Sequence, residues 1–428
     1  MESSPLQRQQ EGMEVIPSEI QQTGMEAVLP SVPISQDAII HNRRDLGKRF
    51  RRWSFISVAL LVVITLAVVL PTTIRRKHSR PSPSPTSSVP TPSSLPLPDS
   101  GIYDNTGIAA LGSEDGTGGF HLFYQHQSGQ IRFATYRSGG WFKDNPSNIV
   151  TKDARNGTAL AGIGYVENST HYMHILFVDV KSNLQETIYD NITNIWSPGS
   201  LGGRWPVPKV RRIALGGCYT PLWGQPDGSP ETLAPSMGIQ YGSTNYAIQQ
   251  LCWRPPSGWV LCWVRGDFNP TAGATCTYSS NRGSISNIWL QNVRGNGLQQ
   301  VWYEHDPNNP DNNTAFEVWN GVTYTDMKFG SAIGVVSYER LYHYVYIQNT
   351  ADTVIEVDIM GEARETRVRN TTGIDRGLPD TWIASIVEPL GSADKDIHLF
   401  FQTQNGKITQ FVRGIEHSVW VNRGFVPL

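Results

Sequence analysis

The chain has 428 residues and a formal net charge of −2; 17% of its residues are charged, 10% are aromatic and 40 are glycine. Charged residues make up roughly 25% of an average globular protein, so this balance suits a turn-rich β-protein and argues against a wholly helical or disordered chain. The small net charge gives no reason to expect a nucleic-acid partner.

The N-terminal segment is polar and rich in Gln and Glu, without a sustained apolar period. Such a composition cannot bury a core, so we expect residues 1–52 to form a disordered cytoplasmic tail. A sorting signal or docking peptide within it is the alternative.

Residues 53–74 contain no charged side chain. As a helix, 22 residues would span about 33 Å, which matches the hydrocarbon core of a bilayer. A cleaved signal peptide would lie at the N-terminus and have a shorter apolar core, whereas 52 residues precede this run. The sequence therefore predicts one transmembrane helix that contacts the lipid bilayer.

The flanking residues predict the orientation of this helix. Six basic residues lie in the ten positions before the span and four in the six positions after it, which favours a cytoplasmic N-terminus. Glycosylation sequons occur only after the span, at Asn156, Asn168, Asn191, Asn312 and Asn370. We expect a glycosylated, single-pass type II protein of the secretory pathway or plasma membrane, with its C-terminal domain luminal or extracellular.

A Pro/Ser/Thr-rich stalk follows over residues 75–101. Residues 79–100 hold seven prolines and ten Ser or Thr. This composition favours an extended spacer of the kind that carries O-linked sugars.

The rest of the chain, residues 102–428, is built on a repeated window of thirteen residues. Each window has an aliphatic and aromatic run, a polar turn and a second alternating run, which predicts a β-hairpin. Five copies are ungapped: His121–Phe133, His174–Glu186, Gly238–Gln250, Tyr344–Glu356 and His398–Gln410. A sixth, Gln300–Glu317, fits only if the insertion around residues 306–313 is looped out.

Repeats of this size predict an all-β, six-bladed β-propeller. A strand of small residues precedes four of the windows and is expected to line a central channel. A turn and an aromatic residue follow five of them, as Trp141, Trp196, Trp259, Tyr324 and Trp420.

The four cysteines lie in the part placed in an oxidising compartment, which favours disulfides over metal ligands. Of the three possible pairings we prefer Cys252 with Cys262, across a turn-like segment, and hence Cys218 with Cys276. The sequence has no nucleophile elbow, phosphate-binding loop or zinc-protease motif, so we expect no cofactor, no metal and no catalysis.

Polar residues at fixed window positions indicate a sugar site. The last position holds Glu186, Glu317 and Glu356, and the first holds histidine in three copies. A carboxylate accepts sugar hydroxyls, a nearby donor orients the ring, and an indole covers its C–H face. The alternative is that these residues are solvated strand ends and packing tryptophans.

The repeat domain resembles the fungal fucose-specific lectins of the Aleuria type, which are six-bladed propellers with sugar sites between adjacent blades. In that family the window begins with arginine, a glutamate follows twelve residues later, and a tryptophan of the next blade stacks on fucose. The resemblance implies sites at Glu186 with Trp259 and at Glu356 with Trp420. Glu317 has no matching aromatic residue. The arginine is absent from every copy, and His174 is its best substitute because a ring N–H can donate to a hydroxyl.

The leading hypothesis is therefore a membrane-anchored, non-enzymatic protein that binds glycans, possibly fucosylated, with His174, Glu186 and Trp259 as the first site and Glu356 with Trp420 as the second. The rival hypothesis is a propeller without sugar sites that serves as a protein-interaction or cell-wall scaffold. An open pocket at the first site favours the lectin, whereas a filled cleft favours the scaffold.

Overall fold

The computed structural model describes residues 101–113, 119–142, 148–167, 170–223, 234–254, 258–279, 284–294, 297–305, 316–319, 324, 326–338, 342–360, 365–369, 373–388, 395–403 and 406–428. The predicted tail and span, and the predicted stalk up to residue 100, lie outside these ranges and stay predictions. Among the described residues, no helix has the length and apolarity needed to cross a bilayer. Residues Ser93–Leu428 form a compact unit of their own.

The described strands form six antiparallel sheets, each a meander of consecutive strands, and we number these sheets as blades 1 to 6. Blade 1 contains β1 (Ile108–Gly112), β2 (Phe120–Gln125), β3 (Ile131–Arg137) and β4 (Gly140–Phe142), with a short β5 (Ile149–Thr151) paired to β3. Blade 2 contains β6 (Ala161–Glu167), β7 (Thr170–Val178), β8 (Leu184–Asp190) and β9 (Ile195–Pro198). Blade 3 contains β10 (Leu215–Trp223), β11 (Ala234–Gly242), β12 (Ile248–Arg254) and β13 (Gly258–Arg265).

The second half of the ring repeats this arrangement. Blade 4 contains β14 (Thr275–Ser279), β15 (Ser284–Gln291), β16 (Leu298–His305) and β17 (Phe316–Trp319). Blade 5 contains β18 (Ile333–Tyr338), β19 (Tyr342–Gln348), β20 (Val354–Met360) and β21 (Glu365–Arg369). Blade 6 contains β22 (Ile383–Val387), β23 (Asp396–Gln402), β24 (Ile408–Gly414) and β25 (Val421–Phe425). The first strand of each blade contacts the first strand of the next, and β22 contacts β1, so the sheets close a ring. The six-bladed propeller is confirmed.

The first strands carry small residues where the blades approach closely at the axis. A Cβ added to Gly216 in β10 would lie 2.6 Å from the carbonyl oxygen of Ala274, beside β14 of the next blade. A Cβ on Gly217 would lie 2.8 Å from Ile163 of the preceding blade. The six first strands surround a central cavity of about 250 Å³.

The second strands supply the core between blades. The window residues Leu122, Phe123 and Phe400 are fully buried. Complete burial of such side chains stabilises the fold by about 1.5–3 kcal/mol each. Phe120 of blade 1 packs on Phe400 of blade 6 with ring centroids 5.7 Å apart, so this core continues across the closure of the ring.

A buried glutamine at the end of the second strand joins four blades to the next one in the described part of the ring. These residues are Gln125, Gln291, Gln348 and Gln402. At the closure, Gln402 Oε1 accepts from the backbone N–H of Thr106 at 3.0 Å, and its Nε2 donates to the Tyr103 carbonyl at 3.2 Å. These bonds satisfy backbone groups that would otherwise be buried without a partner.

Both predicted disulfides are present. Cys218–Cys276 joins β10 to β14 and therefore links blades 3 and 4, whereas Cys252–Cys262 joins β12 and β13 within blade 3. Of the predicted glycosylation sites, Asn156 and Asn191 are exposed. Their glycosylation stays a prediction, and the sequons at Asn168, Asn312 and Asn370 lie outside the described residues.

Candidate functional site

The candidate site is the cleft between two neighbouring blades. Its first wall carries the last window residue, on the third strand of one blade. Its second wall carries the tryptophan that begins or precedes the fourth strand of the next blade. In three blades this tryptophan lies opposite an aromatic residue in register, as in the pair Trp259 and Trp253. We name each cleft by its two blades, so that cleft 2/3 lies between blades 2 and 3.

In cleft 2/3 the structure brings together His174, Glu186 and Trp259. His174 Nδ1 lies 2.7 Å from Glu186 Oε1, because the two residues are diagonal neighbours on β7 and β8. The indole Nε1 of Trp259 donates to Glu186 Oε2 at 3.3 Å. The backbone N–H of Leu201 donates to the same oxygen at 3.2 Å. Glu186 therefore accepts three hydrogen bonds from its own chain.

These contacts assign His174 a different role from the predicted one. The oxygen of a carboxylate accepts hydrogen bonds, so the contact is made with Nδ1 of His174 as the donor to Glu186. Its Nε2 lies 3.3 Å from the hydroxyl of Tyr165, which can donate to it. The imidazole N–H proposed for a sugar hydroxyl is thus engaged with Glu186, and His174 orients the carboxylate.

Cleft 2/3 is closed. His174, Glu186 and Trp259 are each only 3% exposed. A Cβ on Gly199 would lie 2.2 Å from Glu186 Oε2, so the chain after β9 also presses on the carboxylate. The predicted residues therefore converge, but around one another and not around an open pocket.

Cleft 5/6 contains a buried arginine, although no window of this chain begins with arginine. Arg413, on β24 of blade 6, places Nε and Nη2 at 3.0 and 2.9 Å from Glu356 Oε2 on β20. Its guanidinium carbon lies 5.2 Å from the ring centroid of Trp420, within the range of a cation–π interaction. Glu356 is 1% exposed and Arg413 is 2% exposed. Arg413 thus joins the two predicted residues of this cleft, Glu356 and Trp420.

Burial is the main cause of a raised pKa at Glu356. It raises the pKa of this carboxyl to about 7, the charge of Asp358 adds to the rise, and Arg413 opposes it. Tyr346 lies opposite Glu356 in register, and burial raises the pKa of its phenol well above the ordinary value of 10.0. The cleft therefore contains two carboxyls and one guanidinium away from water.

A third polar cleft, 6/1, was not among the predicted sites. Trp141 Nε1 donates to Gln410 Oε1 at 2.8 Å, and Gln410 Nε2 lies 2.8 Å from His398 Nδ1. This arrangement repeats that of cleft 2/3 with an amide in place of the carboxylate. His398 and Gln410 are the first and last residues of their window, and Trp141 is the aromatic residue that follows the window of blade 1. Applying the next-blade rule around the closure of the ring would have found them.

Cleft 1/2 is apolar. Phe133 takes the place of the carboxylate, and its ring centroid lies 6.1 Å from that of Trp196. Phe123 contacts the same indole edge-on at 5.9 Å. This cleft lacks a polar group for a sugar hydroxyl at the position of Glu186, although it keeps the tryptophan.

The structure corrects the window of blade 4. Gln300 and Glu317 lie on β16 and β17, the third and fourth strands, and not on the second and third. The true window begins at Asn287 on β15, and Trp289 pairs with Gln300 as Leu176 pairs with Glu186 in blade 2. The last position of this window is therefore Gln300, one residue later than in the ungapped copies.

Phe316 pairs with Tyr303 in register and takes the position of the tryptophan in blades 1 to 3, and Glu317 follows it on the fourth strand. Glu317 is therefore not the equivalent of Glu186. Because β15 is polar, its sequence did not match the apolar run that begins the other windows. The insertion after β16 was taken for the turn of the hairpin instead.

Neither a protein-family model nor a curated protein sequence matches this chain. Solved structures do. The Aleuria aurantia lectin, a fungal lectin with a six-bladed propeller and a fucose-recognition mode, is similar at 21% identity and a TM-score of 0.61, over 77% of this chain and 98% of that one. SapL1 lectin in complex with α-methyl fucoside gives 16% identity and a TM-score of 0.59, over 76% and 97%. AofleA from Arthrobotrys oligospora gives 16% and 0.57, over 75% and 86%.

These similarities concern the propeller, and at such identities they show a shared fold. The propeller resembles that of fucose-binding lectins. Among the described residues, no group of three or more His, Cys, Asp or Glu side chains is placed to hold a metal ion.

Proposed function

We propose that this chain is a membrane-anchored carbohydrate-binding protein without catalytic activity, which binds fucosylated glycans between its propeller blades. The carrying observation is that cleft 2/3 brings a carboxylate of one blade against an indole of the next. Together these two groups suit sugar recognition, since a carboxylate accepts hydroxyl hydrogen bonds and an indole covers apolar C–H groups.

The clefts would differ in their affinity for a sugar. Cleft 2/3 offers Glu186, whose charge-assisted hydrogen bonds are stronger than those of an amide. Cleft 6/1 offers the neutral Gln410. In cleft 5/6 Glu356 already accepts hydrogen bonds from Arg413 at 2.9 and 3.0 Å, so a sugar would have to compete with a buried guanidinium. We expect cleft 2/3 to bind most tightly.

The remaining parts of the chain fit a glycan receptor at a membrane surface. The apolar segment 53–74 would anchor it, and the stalk 75–101 would hold the propeller away from the lipid. The exposed Asn156 and Asn191 are compatible with the proposed luminal or extracellular location.

A glycan array probed with the full chain in mild detergent tests this proposal. We expect fucosylated glycans to be retained. Glu186→Gln should weaken retention about tenfold, because a charged hydrogen-bond acceptor contributes roughly 1.5 kcal/mol more than a neutral one. Asp153→Asn, which alters an exposed carboxyl in the linker before blade 2, serves as the matched control. Failure of the wild-type chain to bind any glycan would refute the proposal.

A second candidate function is a protein-interaction or cell-wall scaffold without sugar sites. The burial of His174, Glu186 and Trp259 favours it, because all three side chains satisfy one another without a ligand. In that case the wild type would retain no glycan, and Glu186→Gln would change the stability of the fold alone.

A further inference from the structure

Two clefts share a contact that bears on how a sugar enters. In cleft 2/3 the indole N–H of Trp259 donates to the oxygen of Glu186, and in cleft 6/1 that of Trp141 donates to the oxygen of Gln410. In both, the acceptor also contacts a histidine of its own blade, His174 or His398. The geometry is thus built twice, from different residues.

The indole N–H and a sugar hydroxyl are donors that compete for the same oxygen. With Trp259 in place, Glu186 is 3% exposed, so a hydroxyl cannot reach Oε2 on the side that the indole covers until the indole moves. The bond from Trp259 measures 3.3 Å, the longest of the three that Glu186 accepts. A hydrogen bond of this length lies beyond the usual 2.7–3.2 Å range, so it is the weakest of the three and the easiest to break.

We infer that Trp259 and Trp141 act as internal ligands, each holding the acceptor of its cleft in an autoinhibited state that a glycan must displace. This inference rests on the proposed function and specifies how its site is regulated. The ring of the displaced tryptophan remains beside the cleft, where it can cover the sugar. The N–H opposes binding, whereas the aromatic face supports it.

Phenylalanine separates these two effects because it keeps an aromatic face and lacks the donor. A net hydrogen bond to a charged group contributes roughly 1.5 kcal/mol, which corresponds to a factor of about ten in affinity. Trp259→Phe is therefore expected to bind methyl α-L-fucoside about fivefold to tenfold more tightly than the wild type, and Trp259→Ala less tightly than Trp259→Phe.

Trp196→Phe is the matched control. Trp196 occupies the same place in blade 2, but its neighbours across cleft 1/2 are Phe123 and Phe133, which offer no acceptor. We expect this variant to bind the fucoside as the wild type does.

The experiment is a calorimetric titration of the full chain in mild detergent with methyl α-L-fucoside, with thermal unfolding recorded for each variant. Tighter binding by Trp259→Phe than by both the wild type and Trp196→Phe supports the inference. If Trp259→Phe does not fold, the same comparison is made with Trp141→Phe in cleft 6/1.

Binding by Trp259→Phe that equals or falls below that of a wild type which does bind would overturn autoinhibition and leave the lectin function standing. Absence of binding by the wild type, by Trp259→Phe and by Trp141→Phe would overturn the lectin function and the inference together. An equal gain in fucoside affinity in Trp196→Phe would show that added space in any cleft is sufficient to tighten binding. That result would also overturn the inference.

Discussion

Replacing Glu356 by glutamine tests the electrostatics of cleft 5/6. Burial and the charge of Asp358 raise the pKa of Glu356 from 4.5 to about 7, against the opposing effect of Arg413. A folded-state pKa above the unfolded value means that the folded chain keeps a proton that the unfolded chain releases. This contribution to stability is complete below pH 4.5 and is lost as the pH rises through about 7. At about 1.36 kcal/mol per pKa unit it amounts to roughly 3 kcal/mol.

Urea unfolding of the wild type and of Glu356→Gln at several values between about pH 5 and 8 measures the effect. The amide of glutamine resembles the protonated carboxyl and does not titrate. The free energy of unfolding of the wild type should therefore fall by roughly 2–3 kcal/mol more than that of the variant across this range. Asp153→Asn, which changes an exposed carboxyl, should follow the wild type. Parallel curves for the wild type and Glu356→Gln would refute the reasoning, because they would mean that Glu356 is already ionised in the fold.

Two further predictions concern how the ring is held together. Removing the Cys218–Cys276 disulfide by paired alanine substitution should lower the free energy of unfolding by about 4 kcal/mol in a loop-closure model, because the bridged residues are 58 positions apart. The Cys252–Cys262 disulfide spans 10 positions and should contribute about 3 kcal/mol; the opposite order in denaturant titrations would contradict the model. Gln402→Leu should cost roughly 3 kcal/mol, because it leaves buried backbone groups at the junction of blades 6 and 1 without partners. Hydrogen exchange should show the loss first at that junction, and unchanged protection there would contradict it.

The sequence was sufficient to predict the ring because each hairpin carries its own pattern. The window starting at His121 and that starting at His398 have the same aromatic run, turn and second strand, and both occupy the second and third strands of a blade. The glutamines Gln125 and Gln402 within them were visible too. Their partners are backbone groups of the following linker, which no side-chain pattern reveals.

Blade 4 and cleft 5/6 show where the pattern was insufficient. The strand β15 carries polar residues where other blades are apolar, so the window was placed one strand too far along and Glu317 was taken for an equivalent of Glu186. Arg413 occurs at its position in one blade alone, where the corresponding residues of blades 1 to 3 are aromatic. A search for repeated residues could not find it.

The burial of the site residues could not be predicted from the sequence. The resemblance to the Aleuria-type lectins implied that Glu186 and Trp259 come from facing walls of one cleft, and the two side chains are in contact in the structure. Whether those walls stand apart or touch depends on the packing of the whole ring and on the segment around Gly199, which lies outside the repeat. A spacing rule contains no information on either.

The most direct test of the account is a crystal structure of the propeller, residues Ser93–Leu428, grown with saturating methyl α-L-fucoside. We predict the fucoside between blades 2 and 3, with a hydroxyl on Glu186 Oε2 and the indole of Trp259 moved away from that oxygen. A structure in which Trp259 still donates to Glu186 and the fucoside is absent from clefts 2/3 and 6/1 would contradict the account.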